Sequence, residues 1–376
     1  MYLKYDLTCH VAFLYCLFTC RLSPNVWRLV FFTILVILLY AGVVTSYLWI
    51  WKTPSNASFR EQEIRIHFYN RPPWTTKDTF KYCSHKCSIS FGRNYQNYST
   101  SQFVIFDGTT NLPRRPPKKL VGQTWIYHSL EPPSRQPGYD NWDRRINWTF
   151  SYRRDADFTH TYGTILCKDV YDTGKNPASK WMLKTLGNAW FVSHQNAASR
   201  RDQYARSLRQ TVNVDIYSRY GSGKRCPSRT IKDCNALLSE KYNFYLAFEN
   251  DLCRDYVTEK CYNIYSSEAD VIPVVRGAPN YSVFLPPHSC LDTTKFKNIS
   301  SLATFQLQLM KNQTAFESYF HWRRYFHFEP TGDRAFCQLC AMAHAIPLRR
   351  RLYDSLKKWV HGGKDVRICR KASDIK

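Results

Sequence analysis

The stretch FYLAFENDLCRDYVTEK, residues 244–260, begins as an apolar run and breaks at Glu249-Asn250. Six charged side chains (Glu249, Asp251, Arg254, Asp255, Glu259, Lys260) then fall within twelve residues. A continuous apolar run, here NFYLAF (243–248), suits a strand buried on both faces. Beyond it, Val257, Cys261 and Ile264 stand at helical spacing, so 256–266 predicts a helix. A helix that starts just past a strand end offers unpaired backbone N–H groups and a positive dipole end, which favour an anion. A solvated surface loop would carry the same charges, and the stretch alone does not separate the two.

The neighbouring sequence repeats this plan. AWFVS (189–193), VNVDIYS (212–218) and VIPVV (271–275) are further apolar runs, and SRRDQYARSLRQ (199–210) reads as a helix between the first two. Strand alternating with helix predicts an α/β sheet with right-handed crossovers, whose ligands bind outside the carboxyl ends of the strands. The first half has shorter β-prone runs, IRIHF (64–68), FVIF (103–106) and WIYH (125–128), separated by proline-rich loop such as NLPRRPPKK (111–119).

The N-terminus sets the compartment. Residues 29–51 form 23 uncharged, mostly apolar positions, the length that spans a bilayer core of roughly 30 Å. Trp27, Trp49 and Trp51 stand near its ends, and Lys4, Arg21 and Arg28 precede it, which predicts a single-pass anchor with the C-terminal bulk outside the cytosol. A cleaved signal peptide is the alternative, against the length of the span and the lack of an A-x-A-like site. Six Asn-x-Ser/Thr sequons, at Asn56, Asn97, Asn147, Asn280, Asn298 and Asn312, agree with a secretory route. Eleven of fourteen cysteines follow the span; most should pair in an oxidising lumen, and the odd number leaves at least one unpaired within the chain. The net charge of +24 calls for an anionic partner. A lumenal location disfavours nucleic acid and leaves phosphate groups or acidic glycans.

Several stretches in order resemble glycosyltransferase family 10, the α1,3-fucosyltransferases. FYLAFENDLCRDYVTEK resembles the family's F-x-F-E-N-S-x-x-x-D-Y-x-T-E-K. INWTFSYRRDADFTHTYG (146–163), WFVSHQNAASRRDQYARSL (190–208), VIPVVRGAPNYSVFLPP (271–287), YFHWRRYF (319–326) and FCQLC (336–340) match further family blocks, so the likeness runs from about 64 to 342. It implies a Golgi membrane protein of type II and an α/β fold of GT-B architecture, two Rossmann-like domains facing a cleft. The expected organisation is a cytoplasmic tail (1–28), anchor (29–51), stem (52–63), acceptor domain (64–180), GDP-fucose domain (181–345) and a basic tail (346–376). That tail contains a predicted helix with Leu352, Leu356 and Trp359 on one face, broken at Gly362-Gly363.

The resemblance also implies roles. Glu131, in WIYHSLEPPS, stands at the family's general base, with Pro132 in place of a serine. Arg201 and Lys260 would contact the diphosphate of GDP-fucose, Arg200 being Arg201's adjacent competitor. Tyr256 would bond near a phosphate and Glu259 would accept from ribose hydroxyls. Asn250 would meet the fucose or a phosphate, with Glu249 beside it. The acceptor would be a glycan containing N-acetylglucosamine, and no divalent metal would be essential. Asp155-Ala156-Asp157 is a D-x-D of the kind that holds metal in another transferase architecture. Here it falls in the acceptor block beside Arg153 and Arg154, and is expected to be structural or acceptor-facing. Asp251 and His194 replace the family's usual Ser and Asn, the 261–272 stretch is one residue longer, and 287–296 lacks an acidic D-D-F. A catalytically weak glycan-binding relative is therefore the second reading. A lumenal sulfotransferase would need a phosphate loop early in its catalytic domain, and none follows residue 60. Cys83 and Cys87, and Cys337 and Cys340, are expected to form disulfides rather than a zinc site, as two local bridges, although bridges crossing between the two elements fit the same spacings.

Overall fold

A computed structural model describes residues 63–375, apart from 111, 137, 171–180, 219–223, 225–230, 278–279, 346–351 and 364. The anchor expected at 29–51, the tail before it, all of the stem but Glu63, and the Asn56 sequon lie outside the described residues.

The apolar runs of the first half become parallel strands. β1 (Ile64–Asn70), β2 (Cys87–Phe91), α1 (Tyr95–Thr100), β3 (Phe103–Asp107), β4 (Thr124–Ser129), β5 (Trp148–Ser151) and β6 (Phe158–Thr159) follow in order. Their strands form a six-stranded sheet in the order β2-β1-β3-β4-β5-β6, every pair parallel. Alternation sends Ile66, Phe103, Ile105, Ile126 and Phe150 to one core and Val104, Phe106, Trp125 and Tyr127 to the other. Each fully buried side chain of this size contributes about 1.5–3 kcal/mol relative to exposure.

The second half repeats the plan with stronger strands. β7 (Thr164–Cys167) is followed by β8 (Leu186–Val192), α2 (Arg201–Arg209), β9 (Val214–Ser218), α3 (Ile231–Lys241), β10 (Tyr242–Phe248), α4 (Glu259–Ser266), β11 (Ile272–Arg276) and β12 (Leu291–Asp292). β8 to β12 make a five-stranded parallel sheet in the order β12-β11-β10-β8-β9. All seven residues of β10 are buried, as its continuous apolar run predicts. Phe244, Leu246 and Phe248 enter one core, Tyr245 and Ala247 the other. Then come α5 (Ile299–Leu309), α6 (Gln313–Ser318), β13 (Phe326–Glu329), α7 (Gly332–Ala345) and α8 (Leu356–His361). β13 pairs antiparallel with β7, and α7 lays Phe336 and Leu339 on the first sheet's core, with Ile66 and Phe68.

The helix predicted in the basic tail is confined to α8 among the described residues. Gly362 ends it at φ +84, where a Cβ would stand 2.2 Å from the Val366 carbonyl oxygen. Leu356 and Val360 of α8 pack on the first sheet's core, and Ala372 and Ile375 are buried in the second. The tail thus touches both sheets.

The expected local bridges are overturned. Cys83 bonds Cys337 and Cys87 bonds Cys340, fastening α7 across the edge of the first sheet. α7 spaces Cys337 and Cys340 by one turn, toward two cysteines that precede and open β2. A third bridge, Cys253–Cys369, joins the 244–260 stretch to the tail, and Cys167 and Cys234 are also disulfide-bonded. Cys261 and Cys290 are free, in line with the expectation of at least one unpaired thiol.

Candidate functional site

In the five-stranded sheet, chain order reverses between β8 and β10: β9 lies beyond β8, and β11 beyond β10. The carboxyl ends of these two strands are where an open α/β sheet makes its ligand crevice. Arg201, the first residue of α2, spans them. Its Nη1 donates to the Phe248 carbonyl at the end of β10 (3.1 Å), and its Nη2 to the His194 carbonyl past β8 (3.0 Å). Arg201 is buried whereas Arg200 is exposed, with left-handed backbone at φ +52. Of the adjacent pair, Arg201 is the one whose side chain lies across the two strand ends. Arg201 Nε is buried and bonded to no protein group, and so is Asn250 Oδ1. Buried donors and acceptors without partners are rare in folded chains.

The charges of the 244–260 stretch form a compact cluster at the same strand end. Glu249 is fully buried. Its Oε1 accepts from the Thr258 backbone N–H (2.7 Å), and its Oε2 from the Thr258 hydroxyl (2.8 Å). Thr258 is the N-cap of α4, so Glu249 fixes the start of that helix. Lys260 Nζ lies 3.5 Å from Glu249 Oε2 and donates to Glu259 Oε1 and the Thr258 hydroxyl, each at 2.9 Å. Burial disfavours the charged ammonium, but the Glu249 and Glu259 carboxylates outweigh it and raise its pKa. Lys260 is a fixed positive charge at a helix N-terminus. Glu249, with both oxygens engaged and none of its surface open, positions it.

Glu131 comes from the other sheet, two residues past β4. Burial raises its pKa, against the charges of Lys260 and Arg135 and a hydrogen bond from Tyr256. The carboxylate of the first half is therefore within electrostatic reach of the lysine of the second. Tyr256 is buried, its ring 4.9 Å from Tyr152 and 6.4 Å from Tyr162, whose hydroxyl donates to the Leu130 carbonyl (2.8 Å). A tyrosine cluster thus joins the Glu131 turn to the 244–260 loop. The six donor-side residues and Glu131 meet at one place.

The D-x-D carboxylates are committed to protein groups. Asp155 takes the Arg153 guanidinium at 2.6 and 2.8 Å and Arg254 at 2.5 Å. Asp157 accepts from the Thr149 backbone (2.8 Å) and the Tyr353 hydroxyl (2.7 Å). Asp155 thereby ties the first sheet to the 244–260 loop. Of the described sequons, Asn97, Asn280, Asn298 and Asn312 are exposed. Asn147 is not: it is buried, and its Oδ1 accepts from Trp125 N (2.9 Å) and Lys119 Nζ (2.5 Å), so no glycan fits there.

Sequence reading missed two features. At the carboxyl ends of β3 and β4, Asp107 Oδ2 bonds His128 Nδ1 (2.6 Å), and His128 Nε2 bonds His160 Nδ1 (2.9 Å), all buried. The fully buried Arg276 at the end of β11 meets both oxygens of Asp374 in the tail, at 2.8 and 2.9 Å, and donates to the Ser199 carbonyl (2.7 Å) just before α2. A lone His-Ser in β4 and a distant Asp-Ile-Lys end carry no periodic signal that would have found them.

The chain is similar to known proteins. A family model described as glycosyltransferase family 10 (fucosyltransferase) C-term matches residues 181–359, and one described as fucosyltransferase, N-terminal matches residues 45–163. Between them they take in most of the chain. The chain is 34% identical over 264 residues to alpha-(1,3)-fucosyltransferase C of Drosophila melanogaster, an alignment covering 65% of this chain and 61% of that one. It is 29% identical over 336 residues to alpha-(1,3)-fucosyltransferase 7 of Mus musculus, covering 84% and 81%. In three dimensions it is similar to a crystal structure of an α1,3-fucosyltransferase with GDP-fucose, at TM-score 0.52 and 16% identity over 81% of this chain and 96% of the other, which shows a shared α/β fold.

Proposed function

Because the chain belongs to glycosyltransferase family 10, the fucosyltransferases, we propose that it moves fucose from GDP-fucose to a hydroxyl of an N-acetylglucosamine-containing glycan, inverting the anomeric carbon. The observation that carries this reading is the meeting of Arg201, Asn250, Tyr256, Glu259 and Lys260 at the β8/β10 crevice with Glu131 of the opposite sheet. The two sheets act as the facing domains of a GT-B transferase, the six-stranded one for the acceptor and the five-stranded one for GDP-fucose.

In this mechanism Glu131 takes the proton of the attacking hydroxyl. Burial raises its pKa, which makes the carboxylate a stronger base than an exposed one. The sugar passes through an oxocarbenium-like state while the C1–oxygen bond to GDP breaks. Arg201 and Lys260 stabilise the charge that develops on the diphosphate, held in place beforehand by backbone carbonyls and by Glu249. The unpartnered Arg201 Nε and Asn250 Oδ1 supply a donor for a phosphate and an acceptor for a fucose hydroxyl. Glu259, half-exposed beside Lys260, accepts from the ribose. No step needs a divalent ion, since fixed cations occupy that role.

The span at 29–51, the exposed sequons and the disulfides support a lumenal catalytic domain on a Golgi membrane anchor. The test is GDP release and product mass after mixing the protein with GDP-fucose and either N-acetyllactosamine or a chitobiose-core glycan. Fucosylated product supports transfer. Tight GDP binding with no product from either acceptor would replace it with the glycan-binding reading.

A further inference from the structure

Asp251 is the residue by which the 244–260 stretch departs most visibly from its family pattern, and the structure puts it in the wall of a cavity. The cavity, about 280 Å³, is lined by Pro133 and Ser134 of the Glu131 turn, by Asp251, and by His361, Val366 and Arg367 of the tail. Its volume is near the lower end of the ~300–1,000 Å³ of small-molecule sites. Asp251 is 5% exposed. Its Oδ1 accepts from the Leu252 backbone N–H at 2.9 Å. No described residue donates a hydrogen bond to its Oδ2, and Asp251 forms part of the cavity wall.

The tail wall is anchored to the loop that bears Asp251. Cys369 is disulfide-bonded to Cys253, the Arg254 N–H donates to the Ile368 carbonyl (2.8 Å) and the Arg370 N–H to the Leu252 carbonyl (2.9 Å). A buried, half-used carboxylate facing arginine, histidine and serine suits a neutral ligand rich in hydroxyl donors. The cavity begins two residues from Glu131, the base of the proposed mechanism, whose proton donor is the acceptor hydroxyl.

We propose that this cavity is an acceptor subsite: it holds the sugar unit next to the one that receives fucose, and Asp251 accepts hydrogen bonds from its hydroxyls. The C-terminal tail then selects the acceptor. This rests on the fucosyl-transfer reading.

The experiment compares wild type, Asp251→Asn and Arg367→Ala on three acceptors: free N-acetylglucosamine, N-acetyllactosamine and a chitobiose-core glycan. Asp251→Asn keeps the bond to Leu252, and Arg367 is exposed, so neither variant should unfold the chain. The expected result is a rise of about tenfold in KM for the extended acceptor that wild type prefers, the loss of one charge-assisted hydrogen bond. Free N-acetylglucosamine should be less affected, and the KM for GDP-fucose and its slow hydrolysis unchanged within twofold. Arg367→Ala should raise the same acceptor KM. A wild-type KM for every acceptor in both variants, or an equal loss on donor and acceptor sides, overturns the subsite. Wild-type turnover of none of the three overturns the transferase reading itself.

Discussion

The Lys260 ammonium stands 3.5 Å from the fully buried Glu249 carboxylate, and the same carboxylate holds the N-cap of the helix that carries the lysine. One acidic side chain thus fixes both the charge and the helix end at the proposed diphosphate site. Lys260→Ala should raise the KM for GDP-fucose and lower kcat, together costing about 10²–10³ in kcat/KM, the size of losing one preorganised charge donor. It should also leave Glu249 without its cation and lower stability by about 1–3 kcal/mol. Unchanged donor kinetics in the variant would remove Lys260 from the diphosphate.

Glu131→Gln keeps the shape of the turn and removes the base. Turnover should fall about 10²–10⁴-fold while GDP affinity stays as in wild type. The pH profile gives an independent check. Burial raises the Glu131 pKa above 4.5. The acid limb of kcat/KM should therefore lie above that value, with activity lost as pH falls through it. Near-normal turnover of the variant would reassign the base to another carboxylate of the first sheet.

Acid should weaken the fold through its buried histidines. Burial, with His128 close by, holds His160 well below its ordinary 6.5, and burial lowers His67 as well. Below pH 6.5 the unfolded chain binds protons that the folded chain refuses, so stability falls as pH falls and is unaffected above it. Each such group costs up to about 1.4 kcal/mol per pH unit. Tm should drop between pH 7.5 and pH 5.5, and His160→Gln should flatten part of that drop. A slope identical in variant and wild type would exclude His160 as a source.

Asp374→Ala strands the buried Arg276 guanidinium, which also holds the Ser199 carbonyl ahead of α2. The cost should be about 3–5 kcal/mol, with weaker GDP binding because Arg201 follows that loop. Pairing it with Arg276→Met should recover part of the stability. Differential scanning calorimetry and GDP titration read both; a Tm within a degree of wild type would show that the tail is dispensable.

Transfer should survive 10 mM-scale chelator, on the order used to strip Mg²⁺ or Mn²⁺ from carboxylate sites. Asp155 and Asp157 are already engaged by Arg153, Arg254, Thr149 and Tyr353. Loss of turnover in EDTA, restored by one divalent ion, would contradict a mechanism built on fixed cations.

The sequence by itself determined the strands of both sheets that are long and apolar, the helices read at 199–210 and 256–266, and the cluster at 249–260. These are local signals: burial of β10 on both faces requires an unbroken apolar run, and a helix start beside a strand end needs residues close in the chain. Short strands such as β6 were not legible, because two residues show no period. The tertiary structure alone decided which cysteines pair, that Asn147 is buried, that Asp107, His128 and His160 form a line, and that Arg276 finds Asp374. It also decided what Asp251 faces. Most of these contacts join residues tens to hundreds of positions apart, brought together where the carboxyl ends of parallel strands meet the returning tail. No spacing in a linear sequence encodes such a meeting; the packing of the sheets and the path of the chain after α7 create it.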